Sequence, residues 1–226
     1  MIKLDYKFMR LPLFLYLLTV IIFLGILFIY PEVFAIESIG GMYKSDVFYF
    51  TDFVFPFLSS AAIIMQLGGT FEPDTFEFIR SLPIKSTPLI RWGRSAAFFG
   101  GVNSVCIIFS AIMLKSNIAF SRMYYICFAN TVLFLSLALF ITLLARQIFY
   151  VFCVLYGYAL VDLITGGELL GDKSIFINIS AQYLPDKVDI NRAVIYGISA
   201  VCIILSVVVQ EKWTLKSKQF KIGNIK

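Results

Sequence analysis

MYYICFANTVLFLSLALFITLLARQIFYVFCVLYGYALVDLIT, residues 123–165, is an almost unbroken apolar stretch with one polar pair, Arg146 and Gln147, just past its middle. As a single straight helix it would run to about 65 Å, roughly twice the ~30 Å hydrocarbon core of a bilayer. The polar pair therefore reads as a tight hairpin between two membrane-spanning helices, 123–145 and 148–165. Outward from this hairpin, further apolar runs fall at 11–30, 53–70, 95–114 and 193–209, which makes six spans in all. The first run is too long for a signal-peptide core and is followed directly by further spans, so it is read as a permanent helix.

The composition agrees. The chain has 226 residues, of which 60% are hydrophobic and 17% aromatic, with a mean hydropathy of +0.88. A water-soluble domain of this size would lack polar residues to cover such a core. The fold class expected is an all-α integral membrane protein of six transmembrane helices, with an N-terminal interfacial helix and a short cytoplasmic helix between the second and third spans. Six spans with short connections leave no room for a sizeable soluble domain.

Lys and Arg number 19 against 14 Asp and Glu, but they lie between apolar runs and form no single basic face, so nucleic acid is not the expected partner. They set topology instead. Segments on the side of the termini carry thirteen: Lys3, Lys7, Arg10, Arg80, Lys85, Arg91, Arg94, Arg146, Lys212, Lys216, Lys218, Lys221 and Lys226. The other side carries six: Lys44, Lys115, Arg122, Lys173, Lys187 and Arg192. The positive-inside rule puts both termini and the 71–94 loop in the cytoplasm.

At residues 1–10, Lys3, Lys7 and Arg10 share one edge of a helix with Leu4 and Phe8 beside them, the pattern of a short interfacial helix; a flexible basic anchor is the alternative. Residues 211–226 form a basic cytoplasmic tail. Residues 166–191 are too apolar for a plain solvated loop and are expected to be an outer re-entrant segment. Within it, GGELLGDKS at 166–174 nearly spells a phosphate-binding loop, but Asp172 spoils the spacing and no strand precedes it. Cys106, Cys127, Cys153 and Cys202 lie inside apolar runs without metal or redox spacing and are expected to serve packing. The chain has no histidine, which removes the usual zinc and Ser/His routes to catalysis, so no catalytic residue and no metal site are expected.

FEPDTFEFIRSLPIKSTPLIRWGR, residues 71–94, carries the function. Pro73 suits a first helical turn, Asp74 and Glu77 complement the positive end of the helix dipole, and Pro83 stops the helix, giving 73–82. Phe71, Phe78, Ile79 and Leu82 form an apolar stripe that needs either lipid headgroups or a groove on a protein to cover it. The string TFEFIRSLPI at 75–84, followed by WGRSAAF at 92–98, resembles the coupling-helix region of type-2 ABC exporter permeases. Thr75, Glu77, Ser81, Leu82, Pro83 and Ile84 match the family pattern. Asp74 stands where Gly is usual, and Arg94 replaces the Lys of a Gly-Lys pair.

The resemblance implies that Thr75, Glu77, Phe78, Arg80, Leu82 and Pro83 dock into a separate ATPase subunit. That subunit would bind ATP and Mg, leaving this chain with no cofactor of its own. It also implies a second permease subunit, identical or similar, a location in the bacterial inner or plasma membrane, and a cargo such as a peptide or lipid-like amphiphile. The second and fifth spans would then line the substrate path, with Ser59, Ser60, Gln66 and Asp162 as candidates. Two of these have alternative readings. Gln66 is equally suited to gluing helices together. Asp162, read as the one carboxylate within a span, is expected to reach water from the outer end of its helix. On the third span, Gly93, Ala97 and Gly101, with Ala96, Gly100 and Ser104 beside them, are expected to let a neighbouring helix of the same subunit approach closely. A secondary transporter, or a non-transporting immunity or sensor subunit, are the alternatives to an exporter permease.

Overall fold

A computed structural model describes residues 2–34, 37–39, 42–44, 46–69, 71, 88–114, 120–165, 174 and 185–223. In chain order these form α1 (Ile2–Ile29), a 3-10 turn (Pro31–Phe34), strands β1 (Glu37–Ile39) and β2 (Met42–Lys44), and α2 (Asp46–Tyr49). A π-helical segment (Phe50–Val54) joins α2 to α3 (Phe55–Gly68). Then follow α4 (Pro88–Met113), α5 (Phe120–Ala145), α6 (Ile148–Ile164) and α7 (Pro185–Gly223). The molecule is an α-helical, multi-pass membrane protein. Its one departure from pure helix among the described residues is the small antiparallel ribbon β1–β2, in which Ser38 pairs with Tyr43.

Among the described residues, five segments are long and apolar enough to cross a bilayer: Met9–Ile29, Phe50–Gly68, Pro88–Met113, Phe120–Ala145 and Val188–Gln210. α6, with 17 residues, rises only about 25 Å. α5 is the centre of the bundle, packed against α3, α4, α6 and α7, and its buried side chains run from Met123 to Leu143. α1 and α7 lie at the periphery. Leu11, Phe14, Ile21, Ile22 and Phe28 on α1, and Val194, Val201 and Ile204 on α7, are exposed. A belt of large apolar side chains facing outward is what lipid, not water, selects.

Several boundaries differ from the hydropathy reading. Residues 2–10 are continuous with the first span, although Pro12 denies the Phe8 carbonyl its helical donor. The second membrane-crossing segment begins its helix at Asp46 (α2), the third at Pro88 (α4), and α7 runs from Pro185 to Gly223, so residues 185–191 of the expected re-entrant segment and 211–223 of the expected tail are helical. Polar residues end an apolar run without ending a helix, because backbone hydrogen bonds continue wherever headgroups or a protein face can take the side chains.

The expected hairpin turn is present. Arg146 adopts φ 55° and its N–H donates to the Thr142 carbonyl at 3.0 Å, a left-handed cap that ends α5. The chain reverses at once into α6. The coupling helix 73–82 and most of 166–184 lie outside the described residues.

Candidate functional site

Among the described residues the inside of the bundle carries several polar groups, two of them meeting α5 at adjacent positions, Asn130 and Thr131, and another where α3 ends and α4 begins. At the end where the second and last helices begin, Asp52, Asn130 and Arg192 meet. Arg192 Nη2 donates to Asp52 Oδ2 at 2.9 Å, and neither side chain is exposed. Arg192 Nη1 donates to Asn130 Oδ1 at 2.8 Å, and Asn130 Nδ2 donates to the Asp52 carbonyl oxygen at 3.0 Å.

The local sequence explains why that carbonyl needs a donor from elsewhere. In an unbroken α-helix residue 56 would supply it, but residue 56 is Pro, which has no N–H and whose ring crowds the carbonyl four residues back. The helix absorbs the conflict as a π-turn, with the Phe55 N–H bonded to the Phe50 carbonyl. Asn130 replaces the missing donor. Two further groups surround this cluster. The fully buried Cys127 thiol lies beside Thr51 and near the Asp52 carboxylate. Asp162 Oδ2 accepts from Ser174 Oγ at 3.1 Å, and the Ser174 carbonyl accepts from Asn191 Nδ2 at 2.9 Å.

The face between α5 and α7 continues the polar contacts outward. Arg122 and Asp189 pair at 2.9 Å where both are part-exposed, and Tyr125 stacks on Tyr196 with ring centroids 5.3 Å apart. One residue further along α5, another polar group joins α1, α4 and α5. Tyr16 donates its hydroxyl to Asn103 Oδ1 at 2.6 Å, and Asn103 Nδ2 donates to Thr131 Oγ1 at 3.1 Å.

At the other end of α3, α3 and α4 are braced where they flank residues 72–87. Arg91 Nη2 donates to the Gln66 carbonyl at 3.1 Å, and Ser95 Oγ donates to Gln66 Oε1 at 2.7 Å. Gln66 and Arg91 are each 1% exposed. Trp92 Nε1 donates to the Leu135 carbonyl at 2.8 Å, and the Leu89 N–H donates to Gln210 Oε1 at 3.0 Å. The start of α4 is thus tied to α3, α5 and α7 within a few residues.

Thr75, Glu77, Phe78, Arg80, Leu82 and Pro83 lie outside the described residues. Ser59, Ser60, Gln66 and Asp162 are all buried, and each is hydrogen-bonded inside the bundle. Ser59 Oγ donates to the Pro56 carbonyl at 3.0 Å. Ser60 lies 3.0 Å from the Tyr156 hydroxyl, where Phe57 and Tyr156 stack. Gln66 braces α4. Asp162 corrects two expectations: it is fully buried instead of reaching water, and it shares the bundle with a second intramembrane carboxylate, Asp52.

The small-residue rows of α4 also divide differently. Gly100 lies against Phe128, and Ser104 hydrogen-bonds with Tyr124 at 2.8 Å, so this row meets α5. A Cβ added at Gly93 or Gly101 would meet no described atom within 4 Å, and Ala97 is exposed, so that row meets no described helix of the same chain. Gly68, which the sequence did not single out, makes the tighter approach, against Ile148 at the start of α6. Cys153 is exposed while the other three cysteines are buried.

Sequence reasoning missed Asp52, Asn130, Arg192 and Arg91. Asn130 sits well inside an apolar run, and Asp52 four residues before a proline; together these were the available signals. Among the described residues no group of three Cys, Asp or Glu is placed to hold a metal ion. No family model, curated protein or solved structure matches the chain.

Proposed function

We propose that this chain is the permease subunit of a bacterial ATP-driven exporter, seated in the plasma membrane with both termini in the cytoplasm. On this reading α6 is the fifth of six crossings. Its 17 residues fall about 5 Å short of an average hydrocarbon core, a mismatch that Thr165 and the hairpin residues Arg146 and Gln147 can take up at the headgroups. The thirteen-to-six positive bias supports the orientation. The 71–94 sequence supports an ATPase subunit as partner, with ATP and Mg bound there, and a second permease copy or relative completing the path.

The observation that carries the reading is the brace at Gln66. An ATPase moves a permease by displacing the segment between the second and third spans. That displacement reaches the membrane only if the flanking helices respond together. Gln66, two residues from the end of α3, takes hydrogen bonds from Arg91 and Ser95 in the first two turns of α4. The two helix ends therefore move as one body, which is what a lever requires.

Among the described residues, the buried carboxylates Asp52 and Asp162 give ion-gradient-driven transport a structural foothold, since secondary transporters carry titratable groups within the membrane; Asp162 accepts from Ser174 Oγ at 3.1 Å. In this structure the Asp52 charge is already neutralised by Arg192 at 2.9 Å, so it offers no open cation site. The test is co-purification of the tagged chain with its untagged genomic neighbours from native membranes. An ATPase that is retained, and whose hydrolysis changes on reconstitution with the chain, is the expected result. Retention of no ATPase, together with solute flux that follows an imposed ion gradient without ATP, would replace the exporter with a secondary transporter.

A further inference from the structure

We infer that the Asp52 cluster is a two-state latch, in which the second helix exchanges the π-turn seen here for regular α-helix and thereby releases Asp52 from Arg192 and Asn130. Three observations converge on it. First, the ion pair is fully buried, and a buried pair is seldom a net source of stability, because desolvating both charges offsets most of their attraction. Its use lies in fixing one arrangement of the helices. Second, the π-turn occupies Phe50–Val54, so it contains Asp52 itself. A single π-turn inserts one residue into an α-helix and costs hydrogen-bond quality, and such turns collect at functional positions. Removing that insertion would rotate Asp52 by about 100° relative to α3, out of the groove between α5 and α7.

Third, the register is set by a local conflict that the bundle resolves from outside. Pro56 leaves the Asp52 carbonyl without its helical donor, and Asn130 of α5 supplies one at 3.0 Å. The Asp52 side chain is held by Arg192 and its backbone carbonyl by Asn130, and these two partners are bonded to each other at 2.8 Å. Both are released if the second helix turns, so the cluster opens as a unit. The latch rests on Asp52, Asn130, Arg192 and Pro56 alone and is independent of what drives the protein.

Cys127 is a native reporter, since its buried thiol lies beside Thr51 and near the Asp52 carboxylate. The experiment uses the full chain with Cys106, Cys153 and Cys202 changed to Ala, reconstituted in lipid nanodiscs and exposed to a water-soluble maleimide. Labelling of Cys127 is compared with the unfolding rate at the same temperature, followed by intrinsic fluorescence. The latch predicts labelling faster than unfolding. It also predicts that Pro56→Ala, which restores the donor for the α-register without touching the ion pair, raises the labelling rate by about tenfold at an unchanged or slower unfolding rate. Asp52→Leu with Asn130→Leu and Arg192→Met removes the charges that the open state would hydrate, and should slow labelling without loss of stability. A purely structural cluster gives the opposite pattern: labelling that tracks unfolding, and no acceleration in Pro56→Ala. Either result overturns the latch, and the Pro56 comparison decides even if the triple variant fails to fold.

Discussion

Asp52 and Arg192, 140 positions apart in the chain, meet at 2.9 Å with both side chains completely removed from solvent. Asn130 completes the contact from the central helix, so three helices depend on one guanidinium. Removing one partner leaves the other charge buried and uncompensated, at a cost of about 3–5 kcal/mol. Arg192→Ala and Asp52→Ala should each lower the thermal midpoint in detergent sharply, and the double variant should be less damaged than the sum of the two. A double-mutant cycle with additive losses would show that the two side chains do not act as a pair.

Gly68 and Ile148 define how closely α3 and α6 approach. A Cβ built on Gly68 would fall within the Ile148 side chain, and Ile is stiff at χ1 and has little room to give. Gly68→Ala should therefore destabilise by about 1–3 kcal/mol. Ile148→Ala in the same chain should recover part of that loss by clearing the space, although alone it removes buried contact. Thermal unfolding of the two single variants and the double variant measures this directly; a Gly68→Ala chain as stable as the parent would mean that the helices can slide apart freely.

Arg146 holds φ 55° at the turn between α5 and α6. A β-branched residue tolerates this conformation worst and glycine best, a difference of about 1–2 kcal/mol. Arg146→Gly should keep the hairpin, whereas Arg146→Val should weaken it, with the order read from the unfolding midpoints. Equal midpoints would place the turn outside the stability-limiting part of the bundle.

That hairpin is legible in the sequence because Arg146 and Gln147 interrupt a run otherwise too long for one helix. The multi-pass helical class follows from the same logic of length and apolarity. The ends of the helices are less legible, since Asp52 and Arg192 stop a hydropathy window although the backbone around them stays helical. Their pairing is a tertiary event, and nothing in either local sequence names the other. Ser59, Ser60 and Gln66 stand out in the sequence as polar groups inside the bundle, and there the structure agrees, whereas Asp162, read from the sequence as reaching water, is buried. Which neighbour each meets is decided by helix rotation, which periodicity in an all-apolar span hardly constrains. The same limit separates the two small-residue rows of α4, one against α5 and one open.

The last prediction joins the brace to the loop it flanks. If residues 73–82 dock into an ATPase, truncating Phe78 and Leu82 to Ala removes apolar anchors worth about 1.5–3 kcal/mol each, and the affinity for the ATPase should fall by about tenfold or more. Gln66→Leu acts at a different step. It makes the span more apolar, so insertion should survive, and it leaves the docking residues intact. It does remove the acceptor for Ser95 Oγ at 2.7 Å, which loosens α4 from α3. The expected outcome is an ATPase still bound with unchanged affinity, but hydrolysis that no longer drives transport. The two variants thus separate docking from transmission, when ATPase retention in detergent and ATP-dependent transport in proteoliposomes are measured on the same preparations. A Gln66→Leu chain that transports normally would reduce the Gln66 contact to packing. A Phe78→Ala, Leu82→Ala chain that retains its ATPase would remove the loop from the coupling altogether and take the exporter reading with it.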